Sequence, residues 1–148
     1  MDKDDVIATL NDLIETSKDG EEGFRTCADN VTEMRLKIFF EHAARRCAEA
    51  VHELQAKVRH LGGDPERSGS TGASLHRGWL ELKTAIAGKD ERAVLAECER
   101  GEDVAKREYE KALAKDLPSD LRAVIDRQYR EVRANHDRVR DMRNAVAS

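Results

Sequence analysis

Val6, Leu10, Leu13, Ser17, Gly20, Phe24 and Cys27 follow one another in alternating steps of four and three. On a helix that spacing draws a single stripe, and a heptad stripe is the pattern of helices packed side by side at a shallow angle. A strand would need a period of two. The pattern returns three more times. Leu36, Phe40, Ala43, Cys47, Ala50, Leu54 and Leu61 make a second stripe, widened by Phe39, Val51 and Val58. Val94, Leu95, Cys98, Gly101, Ala105, Tyr109 and Ala112 make a third. Leu121, Ile125, Gln128, Val132, Asn135, Val139 and Met142 make a fourth. The stripes predict four long helices, over about 4–28, 33–61, 91–115 and 119–145.

The links decide how these helices are joined. In "ADNVT", Asp29 and Asn30 can stop the first helix and Thr32 can N-cap the second. "GGDP" at 62–65 ends the second helix with glycine and then proline. Asp90 suits the N-cap of the third long helix, and Ser119 or Asp120 that of the last. Two links are therefore short, and each makes its helices antiparallel neighbours. The middle link is long. A Gly/Ser-rich stretch, "GGDPERSGSTGAS", precedes Leu75, Trp79, Leu82 and Ile86, which mark a shorter amphipathic helix over about 71–87. Trp79 would pin that helix to the bundle. Such a link can climb back along the bundle and set helices two and three parallel. The expectation is one all-α domain over 1–148: a ferritin-like four-helix bundle with a long, helix-containing crossover between helices two and three. The alternative is a sequential bundle whose short helix packs only on one end.

Charged residues make up 38% of the chain against about 25% in ordinary proteins. Narrow apolar stripes with heavily charged outer faces account for that excess. The 26 bases and 30 acids are well mixed and sum to −4, with no basic run, so nucleic acid is excluded as a partner. No apolar run is long enough to cross a membrane. The acidic start MDKDDVIATL lacks the apolar core of a secretory signal. Cys27, Cys47 and Cys98 are odd in number, widely spaced and on the stripes, which fits buried thiols and a cytoplasmic location.

A bundle of this kind invites a search for a carboxylate-bridged di-metal centre, built from a Glu on each of two helices and Glu-x-x-His on the other two. One set is Glu15, Glu49, His52 and Glu131, but the residue three after Glu131 is Ala134, and the stripes turn Glu15, Glu49 and His52 outward. A second set fits the stripes better. Glu21 flanks Gly20, Glu102 lies among Cys98, Ala105 and Tyr109, and His136 adjoins the core positions Gln128 and Asn135. Counting back from the third turn sets Glu102 level with Val132. Either these groups satisfy one another in a polar layer that fixes register, or Glu21, Glu102 and His136 hold iron or another divalent metal.

The stretch "SKDGEEGF" sets two glycines, Gly20 and Gly23, inside the first helix, where each costs about 0.5–1 kcal/mol relative to alanine. The expectation is an unbroken helix in which Gly20 admits a close neighbour and Glu21 joins the polar layer.

"LNDLIETSKDGEEGF", "LGGDPERSGS", "LHRGW", "ECERGEDVAKREYEKAL" and "RQYREVRANHDRVR" together resemble a bacterial domain-of-unknown-function family of four-helix-bundle proteins classed with the ferritin-like superfamily. The resemblance implies the ferritin-like bundle, no established activity, and a stress-associated cytoplasmic setting. Its characteristic polar residues fall here on Asp19, Glu21, Glu102, Asp103, Gln128, His136 and Asp137, and do not include Glu49 or His52. The function expected is that of a non-enzymatic protein that forms homo-oligomers or binds a protein partner. The alternative is a metal-binding ferritin-like protein that handles iron or peroxide.

Overall fold

The computed structural model describes residues 1–65 and 90–147. The crossover helix expected over 71–87, with Trp79, lies outside the described residues. Four helices carry the fold: α1 (Lys3–Asp29), α2 (Met34–His60), α3 (Glu91–Leu113) and α4 (Ser119–Ala147). No strand occurs among the described residues.

Local chemistry sets the ends. The Asp2 carboxylate accepts from the Asp5 amide at 2.8 Å and N-caps α1, with Asp4 and Asp5 in the favourable first turn. Asp90 does the same for α3, accepting from the Ala93 amide at 2.9 Å. The α1 helix runs unbroken through Gly20 and Gly23. After α2, the Gly62 amide donates to the Arg59 carbonyl and the Gly63 amide to the Val58 carbonyl, both at 2.9 Å. This pairing reverses the chain at a residue in the left-handed region, and Gly62 has φ of 82°.

One expected cap is corrected. Glu33, not Thr32, N-caps α2: its carboxylate accepts from the Leu36 amide at 3.0 Å. The Thr32 amide and hydroxyl turn instead to Glu91 Oε1, at 3.1 and 3.2 Å, and the Glu33 amide joins them at 2.9 Å. The start of α3 thus ties down the α1–α2 turn, and three donors on one oxygen hold the Glu91 carboxyl below its ordinary pKa, the Glu33 amide most of all.

These contacts fix direction. Glu91 sets the start of α3 beside the start of α2. At the other end, Lys115 Nζ donates to Thr9 Oγ1 at 3.0 Å, joining the end of α3 to the start of α1. Glu53, late in α2, meets Arg127 and Gln128, early in α4. So α2 and α3 run the same way, and α1 and α4 run opposite to both. The closest pairs are α1 with α2 and α3 with α4; of the helix pairs in contact, α2 and α4 touch least.

Inside, the stripes build two apolar clusters. One gathers Phe24, Phe40, Val94, Leu95, Cys98 and Val139 around Cys27. The other gathers Leu10, Leu13, Leu54, Val58, Leu121 and Ile125 around Ile14. Between them lies the waist of the bundle.

Candidate functional site

At the waist the stripes carry small or polar residues: Ser17 and Gly20 on α1, Cys47 and Ala50 on α2, Ala105 on α3, Gln128 and Asn135 on α4. Such side chains do not fill the space that leucines fill at the ends. A cavity of about 60 Å³ remains, lined by all four helices and bordered by Glu102 and Glu131. Its volume exceeds that of a single water, which needs about 10–15 Å³.

Hydrogen bonds close the waist from helix to helix. The Tyr109 hydroxyl donates to Gln128 Oε1 at 2.9 Å, and Ser17 Oγ lies 3.4 Å from the same hydroxyl, placed to donate to it. Gln128 Nε2 donates to Glu53 Oε1 at 2.9 Å, and the other Glu53 oxygen pairs with Arg127. Arg127 also reaches Glu131 at 3.8 Å. The chain Ser17–Tyr109–Gln128–Glu53–Arg127 therefore crosses α1, α3, α4 and α2. Burial pushes the Tyr109 hydroxyl far above its ordinary pKa, so it stays a donor. For Glu53 burial acts upward, but its bonds to Arg127 and Gln128 outweigh it and hold the carboxyl below the ordinary value.

Glu102 stands apart from that chain. It is 2% exposed, and burial raises its pKa to about 8, with Asp103, Glu99 and Asp137 adding repulsion. At neutral pH it is mostly the neutral acid. The Cys98 thiol donates to its Oε1 at 3.6 Å. Cys47, across the cavity, is pushed up to about 12 by burial, then by the charges of Glu102, Glu21 and Glu131. Cys47 and Cys98 are thus protonated, weakly nucleophilic thiols.

The residues singled out from sequence separate into three places. Glu102, Gln128, Val132 and Asn135 meet at the cavity, as the helix count expects. His136 is turned to the α3–α4 surface, with Nε2 2.6 Å from Asp103 and Nδ1 3.3 Å from Asp137, so both ring nitrogens face carboxylates. Glu21 does not join the polar layer. It is half-buried and pairs with Arg25 one turn along its own helix, at 2.5 Å. Of the other set, Glu131 borders the cavity, Glu15 is half-buried, and Glu49 and His52 are exposed. Among the described residues no three His, Cys, Asp or Glu side chains come together closely enough to hold a metal ion. Among the described residues the donors do not assemble the carboxylate-bridged di-metal set expected of the bundle pattern.

Sequence reasoning missed Glu53 and took Tyr109 only for an apolar stripe residue. The signal for Tyr109 was there: a buried tyrosine needs a partner for its hydroxyl, and Gln128 is a buried amide on the neighbouring helix. Nothing local marked Glu53, whose role depends on how α2 is turned toward α4.

No helix among the described residues is long and apolar enough to cross a membrane. A comparison with characterised proteins finds no match. A family model described as a domain of unknown function, DUF2383, matches residues 5–115, most of the chain, which therefore belongs to that family.

Proposed function

We propose that this chain is a non-enzymatic, ferritin-like bundle that works by association, with copies of itself first and with a protein partner second, in a bacterial cytoplasm under stress. The shared direction of α2 and α3 supports the ferritin-like arrangement, because a single long crossover demands it. The waist supports a non-enzymatic role. Tyr109 bonds to Gln128 and Gln128 to Glu53, so these groups are engaged with one another rather than standing ready for a substrate. The observation that carries self-association is at one end of the bundle. Met34 is 63% exposed, and Val146, 48% exposed, borders the space lined by the adjoining Thr32 and Glu33. Large apolar side chains left outside at one place mark an association face.

Sedimentation equilibrium across a hundredfold range of concentration tests this reading. The expected result is an oligomer that Met34→Asp with Val146→Asp converts to monomer without lowering helicity. A wild-type monomer throughout would overturn it. The alternative, a protein handling iron or peroxide through Glu21, Glu102 and His136 or through Glu15, Glu49, His52 and Glu131, predicts stoichiometric metal in the purified protein. Metal lost on Glu102→Ala would establish that alternative and remove the structural reading of the waist.

A further inference from the structure

The seam between α2 and α4 has a chemistry of its own. A groove of about 650 Å³ runs along it, near the apolar cluster around Cys27. Arg35, His42 and Arg46 line it from α2 and Arg138 from α4, around an apolar floor of Ile38 and Phe39. Among the described residues no Asp or Glu lines it, in a chain where acids outnumber bases. Arg35 and Arg46 have no ion pair among the described residues. The Arg138 guanidinium stacks 5.7 Å from the centre of the Phe39 ring, which orders the head while leaving its N–H edges open. Some arginines on this surface pair with carboxylates, as Arg25, Arg100 and Arg130 do. In this groove three arginines without a carboxylate partner among the described residues flank one apolar floor.

The groove also leads inward. Ala43, Arg46 and Asn135 line both the groove and the cavity at the waist. Beyond them the cavity wall is largely apolar, with Phe24, Ala50, Ala105 and Val132. Of the polar groups that reach that wall, Ser17, Tyr109 and Gln128 are joined by hydrogen bonds and Glu102 accepts from the Cys98 thiol. The space therefore asks for an apolar occupant, and its mouth asks for an anion.

We propose that the α2–α4 groove and the waist cavity together form a binding site for a single-chain amphipathic anion, its carboxylate or phosphate head on Arg46, Arg35 and Arg138 and its apolar chain directed past Ala43 and Asn135 into the bundle. Guanidinium groups match such heads through paired N–H donors. Burial of the chain supplies most of the affinity. Neither Met34 nor Val146 lines this site.

The test is titration calorimetry with decanoate and decyl phosphate below their micelle concentrations, on the full chain. Expected is saturable one-to-one binding that strengthens from hexanoate to decanoate by up to about fourfold per methylene. Decanol should bind at least tenfold more weakly, and acetate or inorganic phosphate not measurably. Arg46→Gln with Arg138→Gln, both exposed, should cost about tenfold or more and leave the melting temperature unchanged. Ala50→Leu, which fills the cavity, should remove the dependence on chain length while retaining weak binding of the head. Equal binding of decanol and decanoate, or indifference to the arginine changes, would overturn the site. Binding to anionic vesicles without binding of monomeric decanoate would also overturn it, and would make the groove a membrane-surface patch instead.

Discussion

The two ends of the bundle and its waist are built from the same heptad stripes but held by different forces. At the ends, large apolar side chains meet and exclude water; Phe40 is fully buried, stacked 6.4 Å from Phe24 and edge-on to Phe39 at 5.6 Å. At the waist, the stripe positions shrink to serine, glycine, cysteine and alanine, and a cavity and a chain of hydrogen bonds take over. The ends gain from burial, which is non-directional and tolerates small shifts. The waist gains from geometry, which fixes how far each helix can slide past its neighbours. If that division is right, the same operation should have opposite consequences in the two regions. Shrinking a residue should hurt the ends most, and removing a polar partner should hurt the waist most.

The largest effect is expected at an end. Phe40→Ala removes a fully buried ring between two others and leaves a cavity that packed helices cannot close. Urea unfolding should show a loss of about 3–5 kcal/mol. A loss below about 1 kcal/mol would mean that the end collapses as freely as the waist, and the contrast would fail.

Next comes Glu102, whose effect depends on pH. Its pKa is raised from the ordinary 4.5 to about 8 in the folded state, chiefly by burial. Between those values the folded protein keeps a proton that the unfolded chain has released. Stability from this group is therefore complete below about pH 4.5 and lost as pH rises through about 8. Each unit of such a shift corresponds to about 1.4 kcal/mol, so the loss is on the order of a few kcal/mol. Glu102→Gln keeps the shape and an acceptor for the Cys98 thiol but cannot ionise. Wild type should weaken from pH 5 to 8 relative to this variant, measured by urea midpoints at several pH values. Parallel curves would show that Glu102 is not sealed in the waist.

The hydrogen-bond chain gives a smaller and more specific effect. Tyr109→Phe leaves the Gln128 carbonyl oxygen without its donor, and Gln128→Leu leaves the Tyr109 hydroxyl without its acceptor and Glu53 Oε1 without its Gln128 donor. Each should cost about 1–3 kcal/mol. The double variant should cost clearly less than the two added together, because one broken bond is counted in both. Strict additivity in the double-mutant cycle would dissolve the network into independent contacts and remove the distinction between waist and ends.

The ends were the legible part of this molecule. Periodicity and capping chemistry locate four helices to within two residues, because the buried stripe, Asp90 and Gly62 act locally. The shared direction of α2 and α3 is the one expected from a long middle link with a helix of its own, in preference to a sequential bundle. The waist was legible only in outline. Glu102, Gln128 and Asn135 read as core positions and are found at one cavity, since helix phase suffices to place them. Partner choice is not set by phase. His136 reaches Asp103 rather than Glu102, and Glu21 takes Arg25, an i,i+4 pairing that its own helix offers at no cost in order. Thr32 lost the capping role because Glu91 comes from fifty-nine residues away, which no local pattern reveals.

The smallest expected effect is the sharpest probe of why the waist is small. A methyl group on Gly20 would stand 3.0 Å from Cys47 Sγ, closer than ordinary packing allows. Against that crowding, alanine favours the helix over glycine by about 1 kcal/mol. The two terms nearly cancel, so Gly20→Ala should change stability by less than about 1 kcal/mol. The sum changes once the sulfur is gone. In a Cys47→Ala background the crowding disappears while the helix preference remains, so Gly20→Ala should stabilise that protein by about 0.5–1 kcal/mol. Thermal unfolding of the four proteins in this cycle measures the difference. If Gly20→Ala is equally costly with and without the Cys47 sulfur, close approach of α1 and α2 is not why a glycine stands there, and the small residues of the waist serve the cavity rather than the helix pair.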